Sequence, residues 1–155
     1  LGLDAYLGGS REGTGHVWAA VDLPNGKIMR YDFHAGNYNG PTGSSCGKVR
    51  DALKTLSTKG QADLSPFDSI KQAAGGNEYY IKPQTPQEDA QTLARMKADH
   101  ANPPSFALLK ANCGDRSVQV LGVESEGYNK GALLPYEALD KVKAAIAKRR
   151  ANENR

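Results

Sequence analysis

The chain has few of the side chains from which metal and cofactor sites are built. Its 155 residues include two cysteines and three histidines, with no CxxC pair and no Cys/His spacing of the zinc type, so neither a structural metal nor a cofactor is expected. Aromatic residues make up 7% of the chain, and no aromatic- or glycine-rich recognition pattern accompanies the basic residues, which weighs against a nucleic-acid partner. No apolar run approaches the roughly 20 residues that a spanning helix needs, so no membrane span is expected, and no signal-peptide pattern is present. Charge of one sign is also scarce: 20 Lys and Arg against 17 Asp and Glu leave a net charge of +3. Much of that surplus lies in "KVKAAIAKRR" at residues 141 to 150, where cations meet the negative end of a helix dipole and are ordinarily a solvated face. Weak attraction to an anionic surface is the most that this balance implies.

What is present is the composition of a globular protein, 39% hydrophobic and 24% charged. A chain of this length buries roughly two-thirds of its unfolded surface in one core. The glycine-rich opening "LGLDAYLGGSREG" reads as an arm or linker over residues 1–12, followed by a single domain over 13–150 and a flexible tail over 151–155.

Within the domain, "GHVWAAVDL" and "KIMRYDFHA" flank "PNG", the signal for a type I turn with glycine in the left-handed position closing a hairpin. Taking Pro24, Asn25 and Gly26 as a three-residue loop pairs Leu23 with Lys27 and sets His16 opposite His34. His16, Trp18 and Ala20 then share a face with Asp32 and His34. A two-residue turn would slip the register by one and send His34 to the other face. The glycine- and serine-rich stretch 36–48 leads into a helix expected from Gly47 to Leu56. "SPFD" at 65–68 predicts the start of a short helix, and "NEYYIKP" a strand ended by Pro83. "TPQE" at 85–88 is a capping box that starts a helix to about His100, with Ala90, Leu93, Ala94 and Lys97 on one side. "NCGDRSVQVLG" reads as a helix capped by Asn112, with Asp115 at its third position and Gly122 closing it. A last helix is expected from about Pro135 to Arg150, with Leu139, Val142 and Ile146 as its stripe.

The chemistry follows from Cys113, which falls at the first position of its helix. There the unpaired backbone N–H groups and the positive end of the dipole favour thiolate over thiol. The same groups, set by Asn112 and Gly114, could hold an oxyanion. A thiolate needs a base, and His16 is the candidate, with His34 across the hairpin to orient it and Asp32 as an alternative orienter. Bland readings stand beside these. Cys113 could be buried filler, His16 a satisfied core histidine, His34 a stacking partner, and Asp32 the surface partner of Arg11 or Arg30. Cys46 also precedes a helix and competes for the role of nucleophile, and a Cys46–Cys113 disulfide is a further alternative in an oxidising compartment. His100, at a helix C-terminus, is assigned no chemistry.

The order of these pieces, "GHVWAAVD…RYDFHA…IKPQTPQEDAQTLARM…SFALLKANCGDRSVQVLG…LLPYEALDKV", resembles the circularly permuted papain-like hydrolases. These include permuted relatives of the NlpC-type cell-wall peptidases and the lecithin:retinol acyltransferase-like enzymes. The resemblance covers about residues 13 to 145. It implies an α+β fold in which a small antiparallel sheet packs against the helix carrying the cysteine, with Cys113 as nucleophile, His16 as base and His34 as orienter. It departs from the family at Arg116 and Ser117, where many relatives place an aromatic residue, and over residues 37 to 76, which have no clear counterpart. The first residues, "LGLD", resemble the end of the "DPxGL" junction that precedes the C-terminal toxin domains of Rhs-type polymorphic toxins. That likeness implies an antibacterial type VI effector, secreted or delivered into a neighbouring bacterial cell, with a cognate immunity protein. Taken together, the expectation is a cysteine amidase or peptidase acting through an acyl-enzyme, its first substrate a peptidoglycan stem peptide and its second a protein amide. Two alternatives stay open: an acyltransferase on the same Cys–His site, and a nucleic-acid-acting or non-enzymatic toxin working through Lys148, Arg149 and Arg150.

Overall fold

A computed structural model describes residues 3–11, 15–35, 58–107, 111–122, 137, 139–141 and 143–144. Its strands are β1 (Leu3–Ser10), β2 (His16–Asp22), β3 (Ile28–Ala35), β4 (Thr58–Phe67), β5 (Glu78–Gln84) and β6 (Ser105–Phe106). They form one six-stranded sheet in the order β5-β1-β2-β3-β4-β6, and each neighbouring pair is antiparallel. The helices are α1 (Ile70–Ala74), α2 (Pro86–Ala101) and α3 (Cys113–Val120). Residues 137, 139–141 and 143–144 are also helical, as expected for the C-terminal segment. The architecture is α+β, with the β2–β3 hairpin in the middle of the sheet.

The hairpin takes the three-residue loop. Leu23 N–H donates to Lys27 O at 2.8 Å, Gly26 N–H donates to Leu23 O at 3.0 Å, and Gly26 has a φ of 84°. The ladder pairs Asp22 with Ile28 and ends at Ala19 with Tyr31. In this register odd residues of β2 face one core and even residues the other. Ala5, Leu7, Val17, Ala19, Val21, Tyr31 and Phe33 join Met96, Phe106, Cys113 and Val118 in the larger core. Tyr6, Trp18, Ala20 and Ile28 join Ala74 in the smaller one.

Three expectations are corrected. The glycine-rich opening is not an arm: β1 is an inner strand, paired with β2 on one side and β5 on the other. Its glycines serve close approach, since a Cβ on Gly8 would lie 2.2 Å from the Trp18 ring and one on Gly9 would lie 2.1 Å from His16 O. Ser65 and Pro66 belong to β4, opposite Arg30 and Met29, and the short helix starts later, capped by Ser69, whose side chain accepts from Gln72 N–H. Strand pairing has overridden a local capping signal that lies only four residues early. Finally, α2 carries its predicted capping box, but its buried face is Asp89, Thr92, Met96 and Asp99, one step round from the apolar stripe. Polar side chains can face a core where they find partners: Tyr31 O–H donates to Asp99 Oδ2 at 2.6 Å and Arg116 Nη2 to Asp99 Oδ1 at 2.8 Å, while Asp89 accepts from Gln84 Nε2 at 2.7 Å through Oδ1, its Oδ2 being buried without a partner among the described residues. Cys46, the helix expected over 47–56, and residues 148–155 lie outside the described residues.

Gly9 carries no side chain where the backbone of His16 and Val17 passes. Gly9→Ala should therefore lower stability by about 1–3 kcal/mol through overpacking, read as a lower urea midpoint. An unchanged midpoint would contradict this packing.

Candidate active site

The site begins with the cap of α3. Asn112 Oδ1 accepts from Asp115 N–H at 3.1 Å, and Asp115 Oδ2 accepts from Asn112 N–H at 2.9 Å, which closes a capping box and places Cys113 at the first helical position. The amides of Cys113 and Gly114 belong to the first turn, where no intrahelical acceptor exists, and both residues are buried. Arg116 and Ser117 are absorbed by packing: Arg116 forks onto Asp99, and Ser117 Oγ donates to Val17 O at 3.4 Å.

That contact and its neighbour fix where the cysteine sits. Val17 N–H donates to Cys113 Sγ at 3.4 Å. In an antiparallel ladder the N–H and C=O of one residue point the same way, and every second residue faces the same neighbour. Leu23 faces β3, so Val21, Ala19 and Val17 do too. The ladder stops at Ala19, however, and Val17 gives its N–H and C=O to Cys113 and Ser117 on α3 instead. The start of α3 thus occupies the place of a β3 pairing partner, and the sulfur lies against the peptide that joins His16 to Val17.

His16 is held on the other side. Its register partner would be His34, but the two do not hydrogen-bond to each other. His16 Nε2 donates to Asp32 Oδ1 at 2.8 Å, the diagonal neighbour on the same face. His34 Nε2 pairs with Asp63 Oδ2 at 2.6 Å, and its Nδ1 lies 3.0 Å from Ala35 O. Among the sequence candidates, the structure brings together Cys113, the His16 backbone and the His16–Asp32 pair, and it separates His34 from them. Cys113 is fully buried, and Cys46, its partner in the alternative disulfide, lies outside the described residues. His100, given no role, points Nδ1 at Ala62 O at 2.8 Å.

Electrostatics fix the tautomer. Burial pushes the Asp32 carboxyl up, but hydrogen bonds and charge from His16 and Arg30 outweigh it and hold it at about 2. An ionised carboxylate only accepts, so His16 Nε2 is the donor to Asp32, and in the neutral ring the lone pair falls on Nδ1, an atom buried from solvent. Asp63, opposite Asp32 in the β3–β4 ladder, is also lowered: burial raises it, while Gln61 and His34 pull it down further. Two participants were not singled out by sequence reasoning. Ser117 shares Val17 with Cys113, and Asp63 captures His34; only the pairing of β4, in a stretch given no element from its local pattern, would have placed Asp63 there.

Among the described residues no group of three or more His, Cys, Asp or Glu side chains is placed to hold a metal ion, and no helix is long and apolar enough to cross a membrane. Lys148, Arg149 and Arg150 lie outside the described residues. Compared with known proteins, the chain matches no family model, no curated protein and no solved structure.

Because Asp32 sits at about 2 in the folded protein against an ordinary 3.8, its contribution is present above the unfolded value and fades as pH falls through the folded one. Asp32→Asn should cost about 2 kcal/mol at pH 7, and that difference should shrink between about pH 4 and pH 2. Urea unfolding across this range reads it; a pH-independent difference would contradict the assignment.

Proposed function

We propose that the chain is a cysteine hydrolase of permuted papain-like architecture. The observation that carries this reading is the seating of Cys113 Sγ at a helix N-terminus, against the peptide of a histidine whose far nitrogen is held by an ionised carboxylate. Asp32 takes the orienting role first given to His34, since His34 is committed to Asp63.

The steps follow from these atoms. The Cys113 S–H proton passes to His16 Nδ1, and the sulfur forms a bond to the carbonyl carbon of an amide. The negative charge on oxygen faces the first-turn N–H groups of Cys113 and Gly114. Collapse breaks the C–N bond, and the imidazolium returns its proton to the leaving amine, which leaves a thioester on Cys113. Water, deprotonated by Nδ1, then attacks the thioester and releases the acid with regeneration of the thiol. Asp32 keeps Nε2–H engaged throughout. With Cys113 fully buried, the acyl donor reaches the sulfur only through local opening of its cover.

The first substrate is an amide of a peptidoglycan stem peptide, and the second a protein amide. As an Rhs-type effector the protein would act in a neighbouring bacterial cell and be matched by an immunity protein. An acyltransferase differs only in the last step, where an amine or alcohol replaces water.

Cys113→Ala should abolish hydrolysis and the mass of the acyl-enzyme, and His16→Ala should lower kcat/KM by about 10²- to 10⁴-fold, whereas charge reversal at Lys148, Arg149 and Arg150 should leave both intact. Growth assays with the protein directed to the periplasm or the cytoplasm test the substrate. Killing from the periplasm alone supports the cell-wall target, and killing from the cytoplasm alone removes it. Toxicity that survives Cys113→Ala but not the charge reversal would overturn the hydrolase reading.

A further inference from the structure

One strongly held charge has no part in the scheme above. Arg30 donates from Nη2 to Asp32 Oδ1 at 2.9 Å and from Nε to Asp32 Oδ2 at 3.0 Å. Oδ1 is the same oxygen that accepts from His16 Nε2 at 2.8 Å. The guanidinium lies 4.7 Å over the Trp18 ring, and its Nη1 donates to Ala73 O in α1. Trp18 is buried by the absence of a side chain at Gly8, so the platform under Arg30 is rigid. Nε, Nη1 and Nη2 of this guanidinium each donate a hydrogen bond while its face stacks on the ring, which fixes its position.

Among the described residues, three charged or titratable groups face Asp32. His16 approaches from β2 and Arg30 from its own strand, while Asp63 faces it from β4; Asp63 is itself paired with His34 and Gln61. A carboxylate beside a histidine stabilises the imidazolium, but a guanidinium on the same oxygen opposes that, because two cations then share one anion a few ångströms apart. Full burial of the sulfur acts in the same sense, since desolvation disfavours thiolate, against the pull of the helix N-terminus. On the α3 side, Asp115 is tied into the cap and Arg116 into Asp99.

Resting on the reading of Cys113 and His16 as nucleophile and base, we propose that Arg30 is a positioning residue that fixes Asp32 toward His16 and sets the resting state of the pair as thiol and neutral imidazole. The proton then moves from sulfur to Nδ1 only when an acyl donor is in place, rather than standing as a preformed ion pair. The enzyme is guarded against adventitious electrophiles by the same arrangement.

The test is the pH profile of Cys113 alkylation by iodoacetamide, followed by intact mass and normalised to each variant's own plateau, so that a change in exposure does not enter. Arg30→Met keeps an apolar stem over Trp18 and removes the charge. It should move the midpoint to lower pH by about one unit, seen as roughly tenfold faster normalised alkylation at pH 6. Arg30→Gln, a second neutral variant should the first fold poorly, should move it the same way, and Arg30→Lys should stay at the wild-type midpoint. In an Asp32→Asn background Arg30→Met should add no shift toward lower pH. A midpoint unchanged or moved upward in both neutral variants would overturn the proposal and leave Arg30 a structural residue. A His16→Ala profile identical to wild type would instead overturn the nucleophile–base reading beneath it.

Discussion

The arrangement depends on one diversion of backbone hydrogen bonding. A central hairpin would ordinarily pair along its whole length, and the register set by the Pro24–Gly26 loop points Val17 at Phe33. Instead Val17 gives its N–H to Cys113 Sγ and its C=O to Ser117 Oγ. A buried peptide group left without partners costs as much as a lost hydrogen bond, so α3 is anchored to the sheet by the polar atoms that the missing pairing would leave exposed. The cysteine therefore stands beside the histidine strand as a matter of backbone satisfaction, before any catalytic argument is made.

The electrostatics follow from that opening. With the strands no longer paired beyond Ala19 and Tyr31, His16 leans to the diagonal Asp32, and His34 is left to Asp63 on the next strand. Two His–Asp pairs thus lie on one sheet face with their carboxylates directly opposed, which is unfavourable for like charges. Each carboxylate is offset by donors on its outer side: Arg30 on Asp32, Gln61 on Asp63. In the proposed mechanism these surroundings hold His16 by its far nitrogen and set a second cation, Arg30, on the same carboxylate.

Much of this was legible in the residues. "PNG" fixed the loop, and with it the shared face of His16, Trp18, Asp32 and His34; "NCGD" fixed the cap and the position of Cys113 at its head. Both are local signals, carried by left-handed glycine and by a side chain reaching three residues along. What failed depends on partners far along the chain. Gly8 and Gly9 look like linker until Trp18 and the His16 carbonyl are seen against them. "SPF" looks like a helix start until β3 takes it as strand. Asp89 and Asp99 look exposed until Gln84, Tyr31 and Arg116 are found bonded to them. His34 faced His16 in the right register, yet the register cannot say that a third strand offers a better partner.

The proposal on which the mechanism turns is that His16 Nδ1 takes the Cys113 proton while Nε2–H is engaged by Asp32. Nitrogen-15 NMR of the histidine rings in the intact protein at neutral pH tests it directly. The account predicts the Nε2–H tautomer for His16, with an Nδ1 resonance that moves when Cys113 is replaced by alanine. An Nδ1–H tautomer, or an Nδ1 resonance indifferent to Cys113, would contradict it.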